Sequence, residues 1–199
     1  MFILKNTASA ETRVKNSRFL AEVFTVNTPE EAKAAWKFRK DTYDNGGHIV
    51  YAFTVGNQQN ISGCSDDGEP SGTAGKPVLA VLLGSQLTNA MITVARWFGG
   101  TKLGTGGLVH AYGDAAKAAV EAASFIELVP MSKAEFILPY PLYAECKVFL
   151  NQIGFIADSE TFSDRVSIIG TLRRSETEVL QKFLRELGNG QISCAVTDI

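Results

Sequence analysis

The chain has 199 residues, of which 45% are hydrophobic and 20% charged, and its net charge at pH 7 is −2. This balance excludes a disordered chain and a protein that binds polyanions through bulk positive charge. The longest apolar run, residues 77–84, is far shorter than the roughly 20 residues that cross a bilayer, and the first residues lack a signal-peptide pattern. We therefore expect a cytoplasmic protein without membrane contact, whose three widely spaced cysteines form neither disulfides nor a zinc site.

The first 130 residues alternate between strand and helix patterns. The predicted elements are a strand over 17–26, a helix over 28–43, a strand over 48–56, a helix over 77–86, a strand over 91–98 and an Ala-rich helix over 108–123. Thr28 is the predicted N-cap of the first helix, and Glu31 completes a capping box. The pattern predicts an α+β domain over residues 1–130.

The remaining residues, 131–199, predict a second and smaller domain that begins just after Pro130. Its predicted elements are a strand over 133–140, a helix over 141–154, two strands within 155–174, a helix over 175–190 and a last strand in 191–199. Ser175 and Glu178 form the predicted capping box of the last helix. The order β-α-β-β-α-β predicts a ferredoxin-like domain.

A glycine-rich segment joins the predicted strand at 91–98 to the Ala-rich helix. Its five glycines in nine residues are Gly99, Gly100, Gly104, Gly106 and Gly107. Such a passage aims backbone N–H groups and a helix N-terminus at one point, which favours an anion, and Arg96 and Lys102 flank it. The alternative is that the glycines only allow a tight passage against another backbone. Neither the dinucleotide-binding pattern nor the P-loop pattern fits.

A second unusual segment, residues 63–77, is rich in acids and hydroxyl groups. Its candidate binding residues are Asp66, Asp67, Glu69, Ser71, Gly72 and Thr73. The pattern leaves three interpretations open: a binding surface, a turn held by local hydrogen bonds, or acid–base or Mg²⁺ chemistry. The spacing matches neither an EF-hand loop nor a nucleophile elbow, so we expect no bound metal and no cofactor.

The chain has only two histidines, His48 and His110, and both are candidates for the binding surface. His48 begins a predicted strand after two glycines, and His110 lies in the first turns of the Ala-rich helix. The sequence places no nucleophile or orienting residue beside either one, so no catalytic pair is predicted.

Two stretches together, SDDGEPSGTAGKPVL at 65–79 and ITVARWFGGTKLGTGGLVHAYGDAAKAA at 92–119, resemble the signature of the YigZ/IMPACT family. KNSRF at 15–19 and HIVYAF at 48–53 lie where other short motifs of that family occur. The chain departs from the family pattern at Ile49-Val50, and at His110, where an Arg is usual.

The resemblance implies a fold for each domain and a role in the regulation of translation. The first domain would be similar to domain IV of elongation factor G and to the GHMP kinases, and the second to domains III and V of elongation factor G. Eukaryotic members of the family regulate translation by competing with a starvation-sensing kinase for its activator protein. No enzymatic activity is established for the family.

Three functional hypotheses follow. The first is a non-enzymatic binding module that acts around translation through ribosome, RNA or protein contacts, with Arg96 and Lys102 on phosphates. The second is a small enzyme or binder of phosphorylated or nucleotide ligands that uses the glycine-rich loop and the acids at 66–69. The third is a protein-interaction surface composed of both unusual segments.

Overall fold

The computed structural model describes residues 1–43 and 47–199, and these form two compact units, Met1–Leu128 and Val129–Ile199. Both units combine strands with helices, so the α+β class expected from the sequence is confirmed. Within the described ranges, no helix is long and apolar enough to cross a membrane.

An antiparallel sheet of five strands forms the centre of the first unit. The strands of this unit are β1 Phe2–Leu4, β2 Ala8–Val14, β3 Ser17–Thr25, β4 His48–Val55, β5 Ile61–Ser65, β6 Ala90–Trp97 and β7 Phe125–Glu127. The sheet has the order β2-β3-β6-β4-β5, and β1 pairs separately with β7. The sequence patterns predicted β3, β4 and β6; the short or half-exposed β1, β2, β5 and β7 were not predicted.

Three helices cover the two faces of this sheet. They are α1 Pro29–Thr42, α2 Gly75–Gly84 and α3 Gly104–Glu121. Val50 points into a buried cluster that contains Tyr112 of α3, whereas its neighbour Tyr51 packs with the cluster that contains Ala32 of α1. Because neighbouring strand residues point to opposite faces, α2 and α3 lie on one face of the sheet and α1 on the other.

The helix starts differ in detail from the prediction. Thr28 caps α1 by accepting a hydrogen bond from the Glu31 N–H at 3.1 Å, but the Glu31 carboxylate accepts from the N–H of Asn27, not from that of Thr28. Helix α3 begins at Gly104, four residues before the predicted start, because the last glycines of the linking segment already form its first turn.

The second unit is built from four strands and two helices. Its elements are β8 Met131–Leu138, α4 Tyr140–Gln152, β9 Ile156–Phe162, β10 Val166–Arg173, α5 Thr177–Leu187 and β11 Cys194–Asp198. The antiparallel sheet has the order β11-β8-β10-β9. Both helices bury one side against it, Leu150 from α4 and Leu184 from α5.

The capping box predicted at Ser175 is wrong. Residues Arg174–Glu176 form a single 3-10 turn, so Ser175 does not have the extended backbone that an N-cap requires. The N-cap of α5 is Glu176, and its side chain makes no capping hydrogen bond. Instead, the Thr177 hydroxyl donates to the carbonyl of Arg174 at 2.8 Å.

Candidate functional site

The acidic segment at 63–77 folds around the carboxylate of Asp66. This carboxylate accepts hydrogen bonds from the backbone N–H groups of Gly72 at 2.8 Å, Ala74 at 3.0 Å and Gly75 at 2.8 Å. Partial burial raises the pKa of Asp66, but these three hydrogen bonds and the nearby charge of Lys76 outweigh it and lower the pKa overall. Asp66 therefore holds the first N–H group of α2, that of Gly75, together with two N–H groups of the loop that precedes the helix.

The carboxylate of Asp67 is also occupied by partners from the protein. It accepts a hydrogen bond from the backbone N–H of Ile49 at 2.8 Å and forms an ion pair with Lys40 of α1 at 2.6 Å. Its backbone carbonyl lies 2.6 Å from Nδ1 of His48, and because a carbonyl can only accept, this contact assigns the proton of His48 to Nδ1. Nε2 of His48 then has no hydrogen bond to a described residue.

Glu69 connects the two unusual segments. Its Oε1 accepts from Arg96 Nη1 of β6 at 2.6 Å and from the hydroxyl of Tyr112 in α3 at 2.8 Å. The side chains of Glu69 and Arg96 are only 4% and 9% exposed, and Tyr112 is fully buried. Burial, and then the charge of Glu69, raise the pKa of Tyr112 far above its ordinary range. Nε of Arg96 has no hydrogen-bond partner among the described residues.

The other candidates of the acidic segment complete its turns. Thr73 donates its hydroxyl hydrogen bond to the carbonyl of Pro70 at 2.7 Å and is buried. Gly72 has a positive φ of 77°, and Ser71 is exposed. Gly72 and Thr73 support the path of the loop, whereas Ser71 lies at its surface.

Gly99 has a structural role in the second segment. A Cβ atom at this position would lie 2.1 Å from the backbone carbon of Asn16, in the turn that joins β2 to β3. The N–H of Gly99 donates to Oγ of Ser17 at 3.2 Å. This close approach explains why KNSRF and the glycine-rich segment occur together, and it places the exposed Lys15 near the start of that segment.

The rest of the second segment leads into an uncapped helix. Gly100 and Gly104 have positive φ values of 85° and 75°, and α3 then begins without a hydrogen bond from its first N–H groups to any side chain of residues 1–43 and 47–199. Gly106 and Gly107 lie in its first turn. The exposed Lys102 precedes this start and forms no ion pair within the described residues.

Both segments line one cleft of about 380 Å³. The lining residues are Glu69, Pro70, Arg96, Phe98, Lys102, Leu103, Gly104, Thr105 and Leu108. The structure thus brings together three of the predicted charged residues, Glu69, Arg96 and Lys102. Asp66, Asp67, His48 and the exposed His110 are not among the lining residues.

The sequence reasoning missed several residues of this region. Tyr112 was read only as part of an Ala-rich helix, although its spacing of four residues from Leu108 already placed it on the buried face. Phe98 ends the predicted strand, and nothing in the pattern indicated that its side chain is exposed. Lys15 belongs to a recognised motif, but its position beside Gly99 depends on a contact across 82 residues of chain.

The donor set of the acidic segment does not form a metal centre. Asp66, Asp67 and Glu69 direct their oxygens to different partners, and no group of three or more His, Cys, Asp or Glu side chains in residues 1–43 and 47–199 is placed to hold a metal ion. The arrangement is suited to anion binding at the start of α3.

Comparisons with known proteins agree with this architecture. The family model of the Impact N-terminal domain matches residues 15–120. IMPACT family member YvyE of Bacillus subtilis is 30% identical over 190 residues, which cover 96% of this chain and 88% of that protein. IMPACT family member YigZ of Escherichia coli is 34% identical over 150 residues, which are 74% of each chain. The chain therefore belongs to the IMPACT family.

Two further similarities show how far the resemblance extends. Protein IMPACT of Mus musculus is 31% identical over 101 residues, 48% of this chain and 31% of the mouse protein. A crystal structure of a hypothetical protein superimposes with a TM-score of 0.66 at 28% identity and covers 97% of this chain and 95% of that chain. The similarity to the bacterial relative YvyE and to this structure thus spans both units.

Proposed function

We propose that this protein is a non-enzymatic binding module of the translation apparatus, and that its cleft holds a phosphate group of RNA at the start of α3. The observation that carries the proposal is the N-terminus of α3, which no side chain of the described residues caps, beside the exposed Lys102, which forms no ion pair with them. Free N–H groups and the helix dipole favour a negative charge at this point, and the ammonium group of Lys102 adds to the attraction.

Lys102 and Lys15, and not Arg96, supply the free positive charge in this proposal. The guanidinium of Arg96 is buried and paired with Glu69, so its charge is largely balanced within the protein. Lys15 is exposed on the turn that contacts Gly99, three residues before Lys102. Lys102 lines the cleft and Lys15 lies near Gly99 at the start of the glycine-rich segment, so both add local positive charge on a chain whose net charge is −2.

A binding role fits the carboxylates better than a catalytic role. Asp66 uses both carboxylate oxygens on backbone N–H groups, Asp67 uses both on Ile49 and Lys40, and Glu69 uses its Oε1 on Arg96 and Tyr112. A general base must reach a substrate proton, and a magnesium ligand must offer free oxygens to the ion. We therefore assign these carboxylates to the support of the cleft.

Two similarities inferred from the sequence belong to the same proposal. We infer that the first unit resembles domain IV of elongation factor G and the GHMP kinases, and that the second resembles domains III and V of elongation factor G. The β-α-β-β-α-β order of the second unit, with its strand order β11-β8-β10-β9, supports the second similarity. A protein with such domains would be suited to a ribosomal surface.

The test is co-sedimentation with ribosomes, followed by titration of a labelled RNA at several salt concentrations. We expect binding that weakens as the salt concentration rises. Lys102→Ala and Lys15→Ala should each make the negative slope of log affinity against log salt less steep by about 0.7–0.9, because each removes one phosphate contact. Lys33→Ala is the matched control, since this exposed lysine lies on α1 at the other face of the sheet. Equal slopes for Lys102→Ala and Lys33→Ala would contradict the assigned site.

A second candidate function is supported by the size of the cleft. A volume of about 380 Å³ lies in the range of sites for small ligands, about 300–1,000 Å³. A small phosphorylated ligand would raise the thermal stability of the wild type but not of Lys102→Ala, without any binding to ribosomes. Pelleting with ribosomes that resists both salt and nuclease would instead indicate a protein partner that regulates translation.

A further inference from the structure

Phe98 presents a large aromatic surface at the edge of the cleft. It follows the last residue of β6, and its side chain is 59% exposed although the strand is buried from Ala90 to Arg96. The guanidinium carbon of Arg96 lies 5.6 Å from the centre of the Phe98 ring. Single exposed apolar side chains are common on protein surfaces, so it is the position of Phe98 in the lining of the same cleft as Arg96 and Lys102 that matters here.

The cleft beside Phe98 has two chemically different sides. Pro70, Leu103 and Leu108 give it apolar walls, whereas Lys102 and the first N–H groups of α3 give it positive charge. A phosphate contact alone needs only the second side. A nucleotide uses both, because its base has an apolar face and its phosphate a negative charge.

We propose that the cleft takes one unstacked nucleobase of single-stranded RNA against the face of Phe98, while the adjoining phosphate lies at Lys102 and the start of α3. This proposal rests on the proposed phosphate contact and deepens it by naming the form of RNA that is recognised. The volume of the cleft lies at the lower end of the range for small-ligand sites, which suits one nucleotide unit.

The physical reason for the preference is that stacking needs a free base. In an A-form duplex the bases are paired and stacked on each other, so no base face is open to a side chain. In a single strand a base can leave its neighbours and stack on an aromatic ring, whatever its identity. We therefore expect discrimination by strandedness and little discrimination by sequence.

The experiment compares Phe98→Ala with Phe38→Ala, using fluorescence anisotropy of a labelled single-stranded RNA and of the same sequence as a duplex. Phe38 is the matched control, because its side chain is 63% exposed but lies on α1 at the opposite face of the sheet. We expect Phe98→Ala to weaken single-strand binding about 5- to 150-fold, the range for loss of one stacked base, with an unchanged salt slope. Phe98→Trp should retain the affinity, and Phe38→Ala should change nothing.

The outcomes separate this inference from the function on which it rests. If Lys102→Ala weakens both RNAs but Phe98→Ala leaves single-strand affinity unchanged, or weakens both forms equally, the phosphate contact stands and the stacking inference is overturned. If the wild type binds neither RNA, or Lys102→Ala binds as the wild type does, the phosphate contact itself fails and the stacking inference fails with it. Circular dichroism of each variant checks that the fold is retained.

Discussion

The segments at 63–77 and 99–107 both contain several glycines, but they differ in what their polar groups do. In the segment at 63–77, the three carboxylates are bonded to the protein's own N–H groups and cations. In the segment at 99–107, the chain enters α3 with its first N–H groups uncapped and with Lys102 exposed. A segment rich in glycine and polar residues therefore indicates an unusual backbone path. Only the hydrogen-bond and ion-pair partners of its polar groups show whether the segment stabilises the fold or is free to bind a ligand.

Stability measurements can test this difference, because both tryptophans, Trp36 and Trp97, lie in the first unit. Their fluorescence in a denaturant titration therefore reports on that unit without a signal from the second. The free energy of unfolding obtained in this way applies to each of the four variants that follow.

The largest effect is expected for Glu69→Gln. The amide keeps the size of the side chain but removes the negative charge beside Arg96, whose side chain is 9% exposed. Removal of one partner of a buried ion pair costs about 3–5 kcal/mol. The control is Asp114→Asn, which breaks the exposed pair with Lys117 and should cost no more than about 1 kcal/mol. Similar small losses in both variants would show that Glu69 is not a structural support.

Gly75→Ala should have the next largest effect. A Cβ atom at Gly75 would lie 2.8 Å from the backbone carbon and 2.9 Å from the carbonyl oxygen of Ser65, which belongs to β5. Because backbone atoms cannot move aside as a flexible side chain does, we expect a loss of about 1–3 kcal/mol in the free energy of unfolding. Gly84→Ala is a suitable control, since nothing lies within 4 Å of its added Cβ. An equal result for the two variants would contradict the close approach.

Asp66→Ala should lower the free energy of unfolding by about 1–2 kcal/mol at neutral pH, as expected for loss of a helix cap. The effect has a definite pH dependence, because the folded protein lowers the pKa of Asp66. The stabilisation is fully present above the ordinary aspartate pKa of about 3.9 and is lost as the pH falls through the lowered folded value. The gap between wild type and variant should therefore be constant near neutrality and shrink below about pH 4. A gap that stays constant down to pH 2 would disprove the role of the charge.

The smallest effect is expected for Gly106→Ala, and its sign is opposite. Gly106 lies in the first turn of α3, and no atom lies within 4 Å of an added Cβ. Alanine is favoured over glycine in a helix by about 0.5–1 kcal/mol, so the variant should be more stable than the wild type. A loss of stability would show that the start of α3 at Gly106 is as tightly constrained as the start of α2 at Gly75. The same variant at Gly99, where the added Cβ would meet backbone at 2.1 Å, should be destabilised.

Much of the fold could be predicted from local patterns. The alternation in 17–25, the cap at Thr28 and the Ala-rich run of α3 each act within a few residues, so their periodicity and capping chemistry are legible in the sequence. The strands β1, β2, β5 and β7 were missed because they are short or have few buried residues, and their pairing depends on partners far away in the chain.

The sequence predicted which segments form the candidate site, but it did not predict which of their charged side chains are buried in ion pairs and which are exposed. Arg96 and Lys102 looked equivalent as cations beside a glycine loop, yet one is buried against Glu69 and the other is exposed. Asp66 and Asp67 looked like one acidic cluster, yet they hold different parts of the backbone. Burial and pairing decide these roles, and both depend on contacts between distant segments.

The sequence by itself determined the α+β class, most of the principal helices and strands, and membership of the IMPACT family, because these follow from short-range periodicity and from residue signatures. Only the tertiary structure decided which polar groups are free. The pairing of β6 with its neighbours and the close approach of Gly99 to Asn16 fix the path of the chain here. As a result, the buried pair of Arg96 and Glu69 and the start of α3 lie at one cleft. Such a placement arises from the packing of residues that are tens of positions apart, where no local pattern can specify it.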